Sequence, residues 1–330
     1  MLSNEWVHVR TPTYRRPVML RRALESLINQ TWSNWICDVY DDDPDAAGRE
    51  VCASLNDDRI RYNHNSPQNF ASKNIDQCFT KKNPHSADFF FVLEDDNFVF
   101  ERFIEENIEL CHLHNVNVVL RNQVIETASG TENARLSDVG VLNHLFKEGL
   151  YPPERFRLSL ITGIGVSNGG LFWSRHTKST LEIGVKCTAT AQEYLRTYAI
   201  SEPVYVAMTP LAAWAENAEQ TTRNAEIDAS YLKRELDLKR CIQSLQRLAW
   251  LSAGKNEKEN YITNEAFRSS ISEREYGLLK SFLIGFHQSH ALTFRAKLKA
   301  MSRGLLIRVV GKNYPEFYEF LSKVRHPTIP

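Results

Sequence analysis

Apolar positions in the first half of this chain come as short alternating or unbroken runs separated by helical spacing. Trp6-Val7-His8-Val9-Arg10 alternates as a strand does, and a loop with two prolines, Thr11-Pro12-Thr13-Tyr14-Arg15-Arg16-Pro17, follows. Leu20, Ala23, Leu24, Leu27 and Ile28 then recur at helical spacing, predicting a helix over about residues 18–30. Trp35 to Tyr40 reads as a second strand, residues 46–55 as a helix and 59–62 as a short strand. A helix over 71–79 precedes Phe89-Phe90-Phe91-Val92-Leu93, an apolar run expected to be a strand covered on both faces. Another helix is outlined by Phe103, Ile104, Ile108, Leu110 and Leu113, and another strand by residues 116–120.

Two of these strands end in acid. The second runs into Asp41-Asp42-Asp43-Pro44-Asp45 and the aromatic one into Glu94-Asp95-Asp96. Strand, helix, strand within about 40 residues is a βαβ unit, whose right-handed crossover makes the strands parallel and lines up their carboxyl ends. That edge is where open α/β sheets bind ligands. Adjacent carboxylates repel one another unless a cation sits among them, and hard oxygen donors of this kind suit Mg²⁺ or Mn²⁺. The alternative reading of each cluster is a solvated turn or a helix N-cap.

The second half is less regular. Residues 158–164 are expected to form a strand, followed by a glycine-rich turn through Gly163, Gly165, Gly169 and Gly170. Those glycines lack the spacing of a dinucleotide fingerprint. Residues 204–208 read as a final strand and 215–223 as a loop. From about residue 230 the pattern becomes helical. Leu232, Leu236, Leu238, Ile242, Leu245, Leu248 and Leu251 mark a long helix with the potential to pair two subunits, and 257–283 reads as helical too. The stretch from Phe294 to Lys312 interleaves Arg295, Lys297, Lys299, Arg303 and Arg308 with apolar residues. A basic amphipathic helix of this kind either rests on an anionic membrane or packs its apolar stripe on its own domain.

Composition narrows the function classes. The chain has 330 residues, 40 cations against 40 anions, and so no net charge, which gives no support to a nucleic-acid partner. Its six cysteines show no CxxC spacing, which argues against zinc and for free thiols in a reducing compartment. The first residues lack the basic and apolar blocks of a secretory signal, and no run is long enough for a transmembrane helix. The expected location is cytoplasmic, with peripheral membrane contact through the basic helix as an option.

Four segments together resemble the family 2 glycosyltransferases: Thr11-Pro12-Thr13-Tyr14 with Arg16-Pro17, Val39-Tyr40-Asp41-Asp42, Ala71-Ser72-Lys73-Asn74, and Leu93-Glu94-Asp95-Asp96. The resemblance implies a GT-A fold, an α/β Rossmann-like mixed sheet flanked by helices, here with a helical C-terminal region. It implies a transferase domain over 1–228, with a nucleotide-sugar half to about 121 and an acceptor half over 122–228, followed by 229–330.

By the same resemblance, Pro12, Thr13, Tyr14 and Arg16 would line the nucleotide pocket, and Asp41 would accept from the base, with Asp42 beside it. Lys73 and Asn74, near a helix N-terminus, would face the diphosphate. Asp96 would bind Mn²⁺ or Mg²⁺, Glu94 would approach the ribose or a metal-bound water, and Asp95 would complete the cluster. Arg223 would reach a phosphate from the closing loop. Asn168-Gly169-Gly170-Leu171-Phe172-Trp173 is similar to the segment before the family's catalytic acid pair. Gly169, Gly170, Phe172 and Trp173 are therefore acceptor-side candidates, although the two aromatics read equally well as strand core. Relatives carry Glu-Asp where this chain has Gln192-Glu193, which makes Glu193 the candidate general base.

The implied activity is a metal-dependent, inverting transfer from a nucleotide-sugar, UDP-linked by preference, to a glycan, lipid-linked or protein acceptor. A non-catalytic glycan-binding or assembly subunit with the same fold, or a sugar nucleotidyltransferase, are the alternatives. The absence of glycine from Thr11–Pro17 speaks against the last.

Overall fold

A computed structural model describes residues 4–217, 229–263, 278–287, 293–313 and 315–324. In chain order, β1 (Val7–Thr13), α1 (Pro17–Ile28), β2 (Trp35–Asp41), α2 (Gly48–Leu55) and β3 (Ile60–His64) form the expected βαβαβ start. Then come α3 (Phe70–Gln77), β4 (Phe89–Val92), β5 (Phe98–Val99), α4 (Phe103–His114) and β6 (Val118–Ser129). The acceptor half adds β7 (Arg135–Leu136), β8 (Gly149–Tyr151), α5 (Pro153–Arg157), β9 (Leu171–Ser174), α6 (Ala189–Ala199) and β10 (Val204–Asn217). The C-terminal helices are α7 (Ala229–Ser252), α8 (Lys255–Thr263), α9 (Leu278–His287), α10 (Phe294–Val310) and α11 (Pro315–Lys323).

One mixed sheet runs β3-β2-β1-β4-β9-β6-β10-β5, with β7 on β6 and β8 on β10. β1, β2, β3 and β4 are mutually parallel, whereas β9 is antiparallel to both β4 and β6. Thr13 pairs with Asp41 and Asp41 with His64, so the carboxyl ends of the first three strands share one edge. The unbroken apolar run of β4 has a physical reason: its two faces feed two cores. Phe89 and Phe91 pack with α1, α2 and α4, while Phe90 and Val92 pack under the acceptor half.

Residues 158–164 are not a strand. Pro153 stands in the first turn of α5, where a fixed φ favours a helix start, and Leu158–Ile161 continues it as a 3-10 helix. Leu158, Leu160 and Ile161 are all buried, so an apolar run there mimics a strand. α7 covers this segment and α6. Leu160, Leu195 and Tyr198 form one cluster with Cys241, Leu245, Phe317 and Phe320. Leu238, Ile242 and Leu245, the centre of the stripe read as a subunit contact, are thus buried within their own chain.

Candidate active site

A crevice of about 430 Å³ opens at the carboxyl edge of the sheet. Its walls come from four segments: the end of β1, the loop after β2, the start of α3, and the turn after β4. Pro12, Thr13, Tyr14 and Arg16 line it from the first, Asp42 from the second, Phe70 and Asn74 from the third, and Glu94, Asp95 and Asp96 from the fourth. Ala189, in the first turn of α6, closes the far side. Gln68, Phe70 and Ala189 had no signal in the sequence. Phe70 is a 68% exposed aromatic held at a φ of 62°.

The acidic turn is firmly held. Asp95 accepts from the Thr13 hydroxyl at 2.8 Å and the Tyr14 amide at 3.3 Å. Arg16 Nη1 donates to Asp96 Oδ2 at 2.5 Å and lies 3.3 Å from Asp95 Oδ1. Arg22 Nη2 donates to the Asp96 carbonyl at 2.8 Å, and Asn97 Nδ2 to Glu94 Oε2 at 3.1 Å. Burial, with the Asp96 and Glu193 charges next, pushes Glu94 up to about 8. Burial and then Asp96 push Asp95 up to about 7, against the pull of Arg16. Glu94 and Asp95 hold protons this tightly beside Asp96, even with Arg16 against the turn, so this run of oxygen donors is short of positive charge. It fits a hard divalent cation.

The two strand-end aspartates do different things. Asp41, expected as a nucleobase contact, is fully buried and does not line the crevice. Its Oδ1 accepts from the Asp43 amide at 3.0 Å, and its Oδ2 from the Gly48 amide at 2.9 Å and the Tyr62 hydroxyl at 3.0 Å. A Cβ on Gly48 would stand 2.8 Å from that same Oδ2, so only glycine admits the carboxylate there. Asp42 is the crevice residue. It accepts from the amides of Asn69 at 2.6 Å and Phe70 at 2.7 Å, setting the loop that leads into α3.

Asn74 is buried at the floor, donating to the carbonyls of Thr13 and Tyr40 and accepting from Asn65 and Gln77. It clips the ends of β1 and β2 to α3. Its neighbour Lys73 is exposed and does not line the crevice.

Glu193 stands in the second turn of α6, whose start is capped by the Thr188 hydroxyl accepting from the Ala191 amide at 3.2 Å. Its carboxylate receives the Asn168 amide, and burial lifts it to about 7 although Arg196 draws it down. The Asn168 side chain also hydrogen-bonds Glu94, and its Oδ1 accepts from Arg196 Nη1 at 2.8 Å. Asn168 therefore joins the two acids, a link that sequence reasoning missed. Arg196 is itself tied to Asp76 at 3.0 Å and lies 3.6 Å over the Phe79 ring. Neighbouring Gln192 is 2% exposed, and its Oε1 finds no partner among the described residues.

The acceptor-side candidates do not reach the crevice. Phe172 is buried against Phe89 and Phe91, and Trp173 stacks on Phe79 and Phe90 on the opposite face of the sheet. β9 lies between β4 and β6, so its alternate side chains enter the two cores rather than a solvent cleft. A Cβ on Gly170 would stand 2.5 Å from the Arg121 carbonyl, and one on Gly169 2.9 Å from Gln123 Nε2. Both glycines serve close packing. Arg223 lies outside the described residues.

A separate cluster joins β1, β2 and the turn before β4. Asp38 takes His8 Nε2 at 2.8 Å and His85 Nε2 at 2.9 Å. The Arg10 Nε–H faces His8 Nδ1 at 3.4 Å, the position where a metal-bound imidazole would need an acceptor. This arrangement favours a hydrogen-bonded triad over a metal site.

The family model described as Glycosyl transferase family 2 matches residues 9–174, just over half of the chain. A search of curated protein sequences finds no match. Among solved structures, this chain is similar to S. aureus TarS residues 1–349 in complex with UDP-GlcNAc. The TM-score is 0.52 at 13% identity, over 92% of this chain and 90% of that one. The same TarS segment in complex with UDP gives a TM-score of 0.50 at 12% identity, with the same shares covered. The shared architecture is the GT-A fold.

Proposed function

The chain belongs to glycosyl transferase family 2, and from that premise we propose that it is a metal-dependent, inverting glycosyltransferase. The observation that carries the proposal is the convergence, in one crevice, of Thr13, Tyr14, Asp42 and Glu94-Asp95-Asp96 with the first turn of α6. The donor reading is a UDP-sugar, in keeping with the UDP-GlcNAc and UDP held by TarS. The transferase domain is assigned to 1–228, with the donor half to about 121, and 229–330 is read as a helical appendage to the acceptor half.

In this reading Tyr14 and Asp42 face the base and ribose, Arg16 turns toward the phosphates, and Asp96, with Glu94 nearby, holds Mn²⁺ or Mg²⁺. A bound divalent cation would supply neutralisation of the diphosphate leaving group. Glu193 takes the proton from the acceptor hydroxyl. A carboxylate whose pKa sits near the working pH is suited to that task. One displacement with entry opposite the departing nucleotide inverts the anomeric centre. The acceptor is a glycan, a lipid-linked glycan or a protein.

Calorimetric titration with UDP, GDP, CDP and dTDP, each with Mn²⁺ and with EDTA, tests the proposal. One nucleotide is expected to bind only with metal and to lose binding in Asp96→Ala. Failure of all four to bind would overturn the assignment.

A further inference from the structure

α10 carries two faces with different fates. Gly304 and Ile307 are buried, Gln243 on α7 donates to the Gly304 carbonyl at 2.8 Å, and a Cβ on Gly311 just beyond the helix would meet the Leu236 carbonyl at 2.5 Å. One side of the helix is therefore clamped to α7. A different side is apolar and bare. Phe294 is 80% exposed, Leu298 56%, Met301 46%, Leu305 55% and Val309 74%. At 3.6 residues per turn these five fall within about 80° of arc, a continuous stripe along the whole helix. The stacked rings of Phe282 and Phe286 on α9 are also exposed, and α9 packs on α10. So much apolar surface on adjacent elements calls for a covering surface.

The charge pattern selects what covers it. α10 contains Arg295, Lys297, Lys299, Arg303 and Arg308 and no Asp or Glu, in a chain whose net charge is zero. By helical spacing Arg295 borders the stripe on one side, and Lys297 and Arg308 border it on the other. Two copies of this chain meeting stripe to stripe would bring the three bordering cations of one against the three of the other. A surface that is apolar within and anionic at its rim satisfies both features at once. We propose that α10, with Phe282 and Phe286 of α9 beside it, lies in the interface of an anionic lipid bilayer, the stripe among the acyl chains and the flanking cations at the headgroups. No described helix is long and apolar enough to cross a membrane, so the contact is with one leaflet. The inference stands independently of the donor and the catalytic base.

The test is flotation of the full-length protein with vesicles of phosphatidylcholine alone and of phosphatidylcholine mixed with phosphatidylglycerol, at low and high salt. The wild type is expected to float with the anionic vesicles, at least about tenfold more than with the neutral ones, and less at high salt. The double variant Leu298→Glu, Leu305→Glu is expected to stay at the bottom while keeping wild-type nucleotide affinity, since both side chains point to solvent in the free protein. Flotation unaffected by the double variant, equal flotation with neutral vesicles, or none with either would overturn the proposal. So would a dimer, seen by sedimentation velocity, that the double variant dissociates, because the stripe would then belong to a second copy.

Discussion

Arg16 Nη1 lies 2.5 Å from Asp96 Oδ2, so the residue proposed to bind a divalent cation is paired with a cation of its own chain. Burial works against the Arg16 charge, but Asp95 and Asp96 outweigh it and raise its pKa. The guanidinium keeps the acidic turn ordered and sits beside the space where phosphates would lie. In the proposed function it is both a competitor for the metal and a ligand for the nucleotide.

These two roles give opposite signs in one variant. Arg16→Gln is expected to weaken Mn²⁺-dependent UDP binding roughly 10- to 100-fold, the loss of one charge-assisted contact. The same variant is expected to bind Mn²⁺ alone as tightly as the wild type or more tightly. Calorimetry with and without nucleotide measures both, and a parallel loss of the two affinities would show that Arg16 only holds the fold.

Asp41 and Asp42 separate stability from binding. Asp41 satisfies two backbone amides and a tyrosine hydroxyl from a fully buried position. Asp41→Ala strands those donors and is expected to cost about 2–4 kcal/mol in urea unfolding. Nucleotide affinity in the folded fraction should stay close to wild type. Asp42→Asn should instead lower nucleotide affinity, as it changes a crevice wall and the Asn69–Phe70 turn. A Kd unchanged in Asp42→Asn would remove this residue from the donor site.

That pair also marks how far the sequence could be read. The strand-end acids, the βαβ start and the carboxyl-edge crevice were legible because buried parallel strands are apolar runs with polar stops. Which of two adjacent aspartates enters the crevice was not legible. Neighbouring strand residues point to opposite faces, and it is the Gly48 amide and the Tyr62 hydroxyl that hold Asp41 on the buried one. Residues 158–161 misled for a related reason: burial from several sides erases the periodicity that separates helix from strand. The Asn168 link between Glu94 and Glu193 has no local pattern at all, as its partners come from α6 and the turn after β4.

Trp173 offers a test of the corrected acceptor side. It is 3% exposed and stacked on two phenylalanines at ring distances of 5.4 and 5.9 Å. Trp173→Ala is expected to destabilise the protein by roughly 3–5 kcal/mol, as a large core truncation does. Acceptor KM of the folded fraction should not move. An acceptor KM raised without a fall in the unfolding midpoint would return Trp173 to the binding surface.

As the proposed base, Glu193 would tie activity to pH and stability through one carboxyl. Its pKa, lifted to about 7 by burial, means that the base form is gained as pH rises through 7. kcat/KM of the wild type should climb over that range, and Glu193→Gln should lose about 10²- to 10⁴-fold with the rise abolished. The stability effect runs the other way. An acid that holds its proton more tightly when folded than the ordinary carboxyl does when unfolded contributes stability at low pH. That contribution falls away as pH rises from the usual carboxyl range, near 4.5, through 7. Above 7 the wild type keeps a buried charge that Glu193→Gln lacks, so the variant should melt higher than the wild type at pH 8 and closer to it at pH 5. Equal melting differences at both pH values would mean that Glu193 titrates as an ordinary surface acid, and the assignment of the base would have to move elsewhere on α6.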